Sequence, residues 1–104
     1  MMMKINADRL WQSLMEMAKV GATAKGGVRR LALTSEDAAG RALFAAWCRD
    51  AGLSLSVDRV GNLFARRAGR EAGAAVASGS HLDTQPEGGR FDGVYGVLAY
   101  VISR

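Results

Sequence analysis

A short stretch of the chain places its single histidine beside two aspartates. The stretch runs from Gly79 to Gly93 and contains His81, Asp83 and Asp92. Histidine and carboxylate ligands suit zinc, manganese, cobalt or nickel better than calcium. A carboxylate such as Asp92 has two oxygens and can bridge two cations, and such a pair can activate a water for hydrolysis. The stretch predicts half of a metal site, and a hydrogen-bonded surface histidine is the alternative.

The elements on either side of this stretch decide whether its side chains meet. Residues 74–82 begin with a run of small apolar residues, which favours an inner strand covered on both faces. If extended backbone continues to Asp83, the side chains of His81 and Asp83 point to the same side, and one can orient the other. Asp92 then opens the next helix, behind a loop that Gly88-Gly89 makes flexible.

Three helices are indicated by apolar residues that recur at helical spacing. The first follows the cap Asn6 and ends by Gly21, and the second runs from the cap Thr34 to about Asp50. The third follows Gly93 and would pack onto the sheet. Its apolar stripe consists of Val94, Val97, Leu98, Val101 and Ile102.

A hairpin is indicated between the second helix and the metal motif. Residues 53–57 alternate apolar and polar side chains, and a turn over 59–62 leads to a partner strand at 63–65. The segment 21–30 is rich in glycine and basic residues, so we expect a surface loop there. Together the elements predict an α/β fold with the polar cluster at the carboxyl end of a strand, where open α/β sheets place their ligands.

The composition is that of an ordinary globular domain. The chain has 104 residues, of which 49% are hydrophobic and 23% charged, and its formal net charge is +4. Its basic residues are scattered or paired without interleaved aromatics, which argues for a solvated surface and against nucleic-acid binding. Arg29 and Arg30 form one such pair, and we expect solvated loop charges there rather than contacts with an anionic substrate.

Several apolar side chains are expected to be buried. Cys48 lies in a helical pattern, where it resembles a small buried hydrophobe rather than a disulfide partner. Trp11, Met15, Met17 and Trp47 stand at helical spacing and are expected in the core. No signal-peptide core or membrane-length apolar run is present, so we expect a cytoplasmic protein without membrane contact.

The motif also resembles that of a known family. The residues Gly79-Ser80-His81-Leu82-Asp83-Thr84-Gln85, then Gly88-Gly89-Arg90-Phe91-Asp92-Gly93 and Gly96-Val97-Leu98, resemble the metal motif of the amidase, hydantoinase and carbamoylase family. This family includes N-carbamoyl-L-amino-acid hydrolases, allantoate amidohydrolases and β-ureidopropionases. The resemblance extends through Gly26-Gly27-Val28-Arg29-Arg30 and Asp58-Arg59-Val60-Gly61-Asn62, and it covers nearly the whole chain from Ile5 onward.

The resemblance implies roles for the three polar residues. His81 would ligate one of two divalent ions (Zn, Mn, Co or Ni), Asp92 would bridge both, and Asp83 would support His81 as the candidate catalytic residue. It also implies the α/β/α catalytic domain of a dinuclear-metal hydrolase. Such enzymes hydrolyse carbon–nitrogen bonds other than peptide bonds in linear amides, ureido compounds and amidines, such as N-carbamoyl-L-amino acids or allantoate.

The family pattern continues past this motif with a glutamate pair that includes the general base, further histidine ligands and a lid or dimerisation domain. We therefore expect residues 1–104 to be an incomplete, amino-terminal part of the catalytic domain, inactive alone, without the lid or dimerisation domain. The complete enzymes are expected to be homodimers that act on a small-molecule substrate. The alternative is a non-catalytic module that docks onto a full-length relative through its uncovered apolar surface.

Overall fold

The structure, a computed structural model, describes residues 4–101. Within that range the chain forms helices α1 (Ala7–Ala18), α2 (Ser35–Asp50) and α3 (Val94–Val101), with strands β1 (Ser54–Val57) and β2 (Leu63–Arg66) between α2 and α3. Helices and a small sheet together confirm the predicted α/β fold class. Ile102, the last residue of the predicted apolar stripe, lies outside the described residues.

Helix α1 begins and ends where its sequence signals predict. The Asn6 side chain accepts a hydrogen bond from the backbone N–H of Arg9 at 2.9 Å, which satisfies one of the helix's free donors. The helix ends at Ala18, and the chain turns away at Gly21, where φ is +81°. Its buried face consists of Leu10, Ser13, Leu14, Met17 and Ala18.

Helix α2 is capped by Thr34, as predicted. The Thr34 hydroxyl accepts from the backbone N–H of Asp37 at 3.2 Å, and the Asp37 carboxylate accepts from the backbone N–H of Leu33 at 2.9 Å. Glu36 and Asp37 also place negative charge in the first turn, next to the positive end of the helix dipole. The helix then runs to Asp50, the predicted end.

The predicted hairpin is present as the antiparallel pair of β1 and β2. Leu55 lies opposite Ala65, and Val57 lies opposite Leu63. Asp58 closes the turn, since its carboxylate accepts from the backbone N–H groups of Val60 and Asn62 at 3.0 and 2.8 Å. Leu55, Leu63 and Ala65 are partly buried and face the core, which places the hairpin under α2.

The hydrophobic core lies between the three helices. It consists of Leu10, Leu14, Met17, Phe44, Cys48, Val94 and Leu98. Cys48 is a free cysteine and fully buried, as predicted, and its burial raises the pKa of the thiol. Met15 and Trp47 pack at the edge of this core. The prediction for Trp11 is wrong, because this side chain is 56% exposed and lies against Phe91 with ring centroids 6.0 Å apart.

The inner strand predicted at residues 74–82 is not formed within the part of the chain that the structure describes. Residues 74–81 are exposed, and Val76 is 87% exposed. The described sheet consists of β1 and β2 alone, so this segment has no ladder to join. The Tyr100 hydroxyl of α3 donates to the Val76 carbonyl at 3.4 Å and ties the segment to the helix.

Among residues 4–101, no helix combines the length and the apolar character that crossing a membrane requires.

Candidate metal centre

The structure brings the three predicted site residues together at the amino end of α3. The Nδ1 atom of His81 lies 2.9 Å from the backbone carbonyl oxygen of Asp83 and 3.4 Å from that residue's carboxylate. The Nε2 atom lies 3.8 Å from a carboxylate oxygen of Asp92. The side chains of the three residues are 51%, 44% and 66% exposed, so the cluster is open to solvent.

The Asp83 contact fixes the proton of the neutral imidazole ring. A backbone carbonyl only accepts hydrogen bonds, so the Nδ1 atom of His81 must carry the hydrogen. The lone pair of the ring is then on Nε2, the atom that faces Asp92. Metal-ligating histidines are commonly held in this way, by a carbonyl or carboxylate on the second ring nitrogen. Here the backbone of Asp83 is closer to the ring than its carboxylate.

The gap between His81 and Asp92 suits a shared ion better than a direct bond. At 3.8 Å, Nε2 and the carboxylate oxygen are too far apart for a hydrogen bond. Two ligand atoms on one tetrahedral zinc ion lie about 3.4 Å apart, and about 4.2 Å is the largest separation at which two atoms can both reach an ion that lies between them. The observed separation falls between these limits, so the donor types and their spacing fit a divalent ion.

The cluster supplies fewer ligands than a complete site. Across residues 4–101, no three side chains of His, Cys, Asp or Glu converge in a way that could hold a metal ion. His81 and Asp92 are therefore a pair of candidate ligands, and a catalytic zinc ion ordinarily has three protein ligands and a water.

Two glycines let α3 approach the histidine segment. At Gly93, where φ is +73°, an added Cβ would lie 2.5 Å from the His81 ring. At Gly96, one turn further on, an added Cβ would lie 2.9 Å from the Cβ of Ser80. Only glycine permits this close packing, which places the His81 ring against the start of the helix that follows Asp92.

The loop between His81 and Asp92 is pinned, which the sequence did not indicate. Gly88 exchanges two backbone hydrogen bonds with Val28, at 2.8 and 2.9 Å. The Thr23 hydroxyl also donates to the Glu87 carboxylate at 2.8 Å. The Gly88-Gly89 pair was expected to make this loop flexible, and the prediction is wrong for Gly88 because Val28 holds its backbone.

Arg30 is buried, although the sequence suggested a solvated loop charge. It is 1% exposed, and its guanidinium donates to the carbonyls of Leu82, Met17 and Val20 at 2.8, 3.0 and 2.7 Å. Burial lowers the pKa of the guanidinium, and the nearby carboxylates of Asp37 and Asp83 partly offset the effect.

The same correction applies to Val28, which is also 1% exposed, whereas residues 22 and 24–26 are exposed as expected for a surface loop. Val28 and Arg30 are buried while Arg29 between them is exposed, which is the alternation of extended chain. The sequence did not reveal this alternation, because the second buried position is occupied by a charged residue, Arg30.

Comparison with known proteins is consistent with the resemblance seen in the sequence. No family model matches the chain. An N-carbamoyl-L-amino-acid amidohydrolase of Rhizobium meliloti is 57% identical over 97 residues, which are 92% of this chain and 23% of that protein. An allantoate amidohydrolase of Bacillus subtilis is 39% identical over 88 residues, or 84% of this chain and 21% of the relative.

A solved structure shares the fold as well. The crystal structure of a hydantoinase/carbamoylase family amidase from Burkholderia ambifaria superimposes with a TM-score of 0.92 at 69% sequence identity. The match covers 95% of this chain and 25% of that one. In sequence and in fold, the chain belongs to the hydantoinase/carbamoylase family of amidases, and it spans about a quarter of the length of the relatives it matches.

Proposed function

We propose that this chain contributes His81 and Asp92 as metal ligands to a hydrolase of carbon–nitrogen bonds other than peptide bonds. The observation that carries the proposal is the His81 ring, with Nδ1 held by the Asp83 carbonyl and Nε2 facing the Asp92 carboxylate at 3.8 Å. The relatives supply the reaction class, since they are amidohydrolases of N-carbamoyl-L-amino acids and of allantoate.

Each of the three residues has a separate task in this proposal. His81 would hold one divalent ion through its Nε2 lone pair, and the Asp92 carboxylate would be shared between that ion and a second one. Asp83 holds the ring so that the lone pair stays on Nε2. Two divalent ions (Zn, Mn, Co or Ni) would supply an activated water and polarise the substrate carbonyl when bound.

The remaining ligands and the general base lie on polypeptide beyond this chain in our proposal. Two observations support this division. No third metal-binding side chain joins the pair within residues 4–101, and the chain spans 23% of its Rhizobium meliloti relative. We infer that the chain alone binds metal weakly and does not turn over substrate. The substrate is a small molecule with a carbamoyl, ureido or amidine group.

Zinc titration by calorimetry on the 104-residue chain tests the ligand assignment. We expect weak binding that is lost in His81→Ala and in Asp92→Ala, because each change removes one of two ligands. Asp50→Ala is the matched control, since Asp50 is an exposed carboxylate and the last residue of α2. Zinc binding that survives both ligand substitutions would refute the assignment.

Hydrolysis of an N-carbamoyl amino acid tests the division of the site. We expect no turnover by the chain alone, with or without added zinc or manganese. Turnover that depends on His81 would show that the chain holds a complete site and would contradict our placement of the general base elsewhere.

A second candidate function is favoured by the uncovered segment at residues 74–81. This segment is exposed and belongs to no strand in the described range, so its backbone, apart from the Val76 carbonyl that accepts from Tyr100, is open to pairing with another chain. A non-catalytic module that docks onto a full-length relative would use this segment. Size-exclusion chromatography of a mixture of the two tests it, and separate elution would count against docking.

A further inference from the structure

We propose that Arg30 is a positioning residue, which holds the backbone of residues 82–84 so that His81 presents Nε2 to Asp92. The link to metal binding rests on the function proposed above. The link to the histidine ring rests on contacts within the chain alone, so the two can be tested separately.

The side chain of Arg30 joins the motif to helix α1. Its Nε donates to the Leu82 carbonyl at 2.8 Å, while one terminal nitrogen donates to the carbonyls of Met17 and Val20 at 3.0 and 2.7 Å. Met17 lies in the last turn of α1, where the negative end of the helix dipole attracts a cation. The guanidinium is therefore anchored at one end and holds the Leu82 peptide at the other.

The backbone of Arg30 holds the same segment two residues later. Its N–H donates to the Thr84 hydroxyl at 2.7 Å, and its carbonyl accepts from the Thr84 N–H at 2.7 Å. Thr84 is 7% exposed, so these bonds are shielded from water. One residue thus fixes the chain on both sides of Asp83, at Leu82 through its side chain and at Thr84 through its backbone.

Asp83, between the two anchors, transmits this constraint to the histidine. Its backbone carbonyl is the partner of the His81 Nδ1 atom at 2.9 Å. If the peptide of residues 82–84 rotated, that carbonyl would turn away and the ring would lose the bond that fixes its proton. Arg30 is connected to His81 and Asp92 through the backbone of residues 82–84. The arginine therefore acts without touching the reacting atoms.

The site is shaped for an arginine and not only for a positive charge. The planar guanidinium can donate to carbonyls on opposite sides at fixed angles, whereas the three donors of a lysine ammonium all lie on one nitrogen at the end of a flexible chain. Gly40 of α2 completes the fit, because an added Cβ there would lie 2.8 Å from the Arg30 Cδ.

The test compares Arg30→Met and Arg30→Lys with the matched control Arg29→Met, whose side chain is exposed. Because His81 is the single histidine, its ring nitrogens give an unambiguous nitrogen-15 NMR signature of the tautomer. We measure it above the ordinary pKa of histidine, together with zinc affinity by calorimetry and the melting temperature. The wild type and Arg29→Met should show the hydrogen on Nδ1.

Both Arg30 variants should show mixed tautomers below their melting temperature and a loss of zinc affinity of about tenfold or more. Lysine should recover stability without recovering the tautomer. A wild-type tautomer and zinc affinity in both folded variants would overturn the positioning role, as would unfolding of both. If Arg30→Met alone fails to fold, Arg30→Lys decides. If the wild type binds no zinc, the proposed function fails, and the tautomer comparison still decides the role of Arg30.

Discussion

The imidazole ring of His81 occupies the space in which a side chain at Gly93 would begin. A Cβ at Gly93 would lie 2.5 Å from the ring atoms Cε1 and Nδ1 and from the His81 carbonyl oxygen. Gly93 immediately follows Asp92, so the same short segment carries one candidate ligand and forms the surface against which the other packs. The positions of the two ligands are therefore coupled through one glycine.

Gly93→Ala should displace the His81 ring. The φ of +73° at Gly93 adds backbone strain of about 1–3 kcal/mol for a residue with a side chain. We expect a lower melting temperature and at least a tenfold loss of zinc affinity relative to the wild type. Gly89→Ala is the control, since an added Cβ there meets nothing within 4 Å. Equal zinc affinities for the two variants would show that the ring does not depend on Gly93.

Gly40→Ala tests the packing of Arg30 against α2. Helix propensity alone would make alanine more stable by about 1 kcal/mol. The added Cβ would lie 2.8 Å from Cδ and 3.2 Å from Nε of a side chain that three hydrogen bonds hold in place, so we expect the melting temperature to fall instead. In an Arg30→Ala background, Gly40→Ala should raise stability instead of lowering it. Denaturant unfolding of the wild type, the two single variants and the double variant measures this coupling.

Asp83→Asn separates the two groups of that residue that approach His81. The backbone carbonyl lies 2.9 Å from Nδ1, and the carboxylate lies 3.4 Å away. Because the closer contact is unchanged in Asp83→Asn, we expect the hydrogen to remain on Nδ1 in nitrogen-15 NMR spectra. A change of tautomer would instead assign the orienting role to the carboxylate.

The helices and the hairpin could be predicted from the sequence because local signals determine them. The caps Asn6 and Thr34 and the turn residue Asp58 each bond to backbone within four residues, and so their effect is visible in a short window. The cluster of His81 and Asp92 could also be located, since one helix start brings them together.

The environment of Arg30 could not be predicted, because its partners are far away in the chain. Its bond to Leu82 spans 52 residues and its bond to Thr84 spans 54, and a charged residue in a glycine-rich segment ordinarily indicates solvent. The strand expected at residues 74–82 failed for a related reason. Small apolar residues favour an inner strand, but a strand needs neighbouring strands, and the described sheet holds only β1 and β2.

Cys48 should make the free energy of unfolding fall as the pH is raised into the alkaline range. Burial raises the pKa of this thiol in the folded chain, so the unfolded chain loses its proton first as the pH rises. The thiol therefore makes its whole contribution to the free energy of unfolding below the ordinary pKa of a free thiol. That contribution is lost as the pH rises through the higher pKa of the folded chain. Denaturant midpoints measured across this range should fall in the wild type and less steeply in Cys48→Ala. Parallel curves for the two proteins would contradict this assignment.

Asp58 should make the free energy of unfolding fall as the pH is lowered, whereas Cys48 makes it fall as the pH is raised. Hydrogen bonds from the Asn62 side chain and from the backbone N–H groups of Asn62, Val60 and Gly61 lower the pKa of its carboxyl in the folded chain. The carboxylate therefore makes its whole contribution to the free energy of unfolding above the ordinary pKa of an aspartate. That contribution is lost as the pH falls through the lower pKa of the folded chain.

Asp58→Asn keeps an acceptor oxygen but cannot titrate, so its hairpin should lose less stability on acidification than that of the wild type. Amide hydrogen exchange of β1 and β2, measured over that pH range, reports the hairpin directly, and Asp50→Asn controls for the loss of a carboxylate elsewhere. If both variants follow the wild-type pH dependence, the turn does not depend on the charge of Asp58.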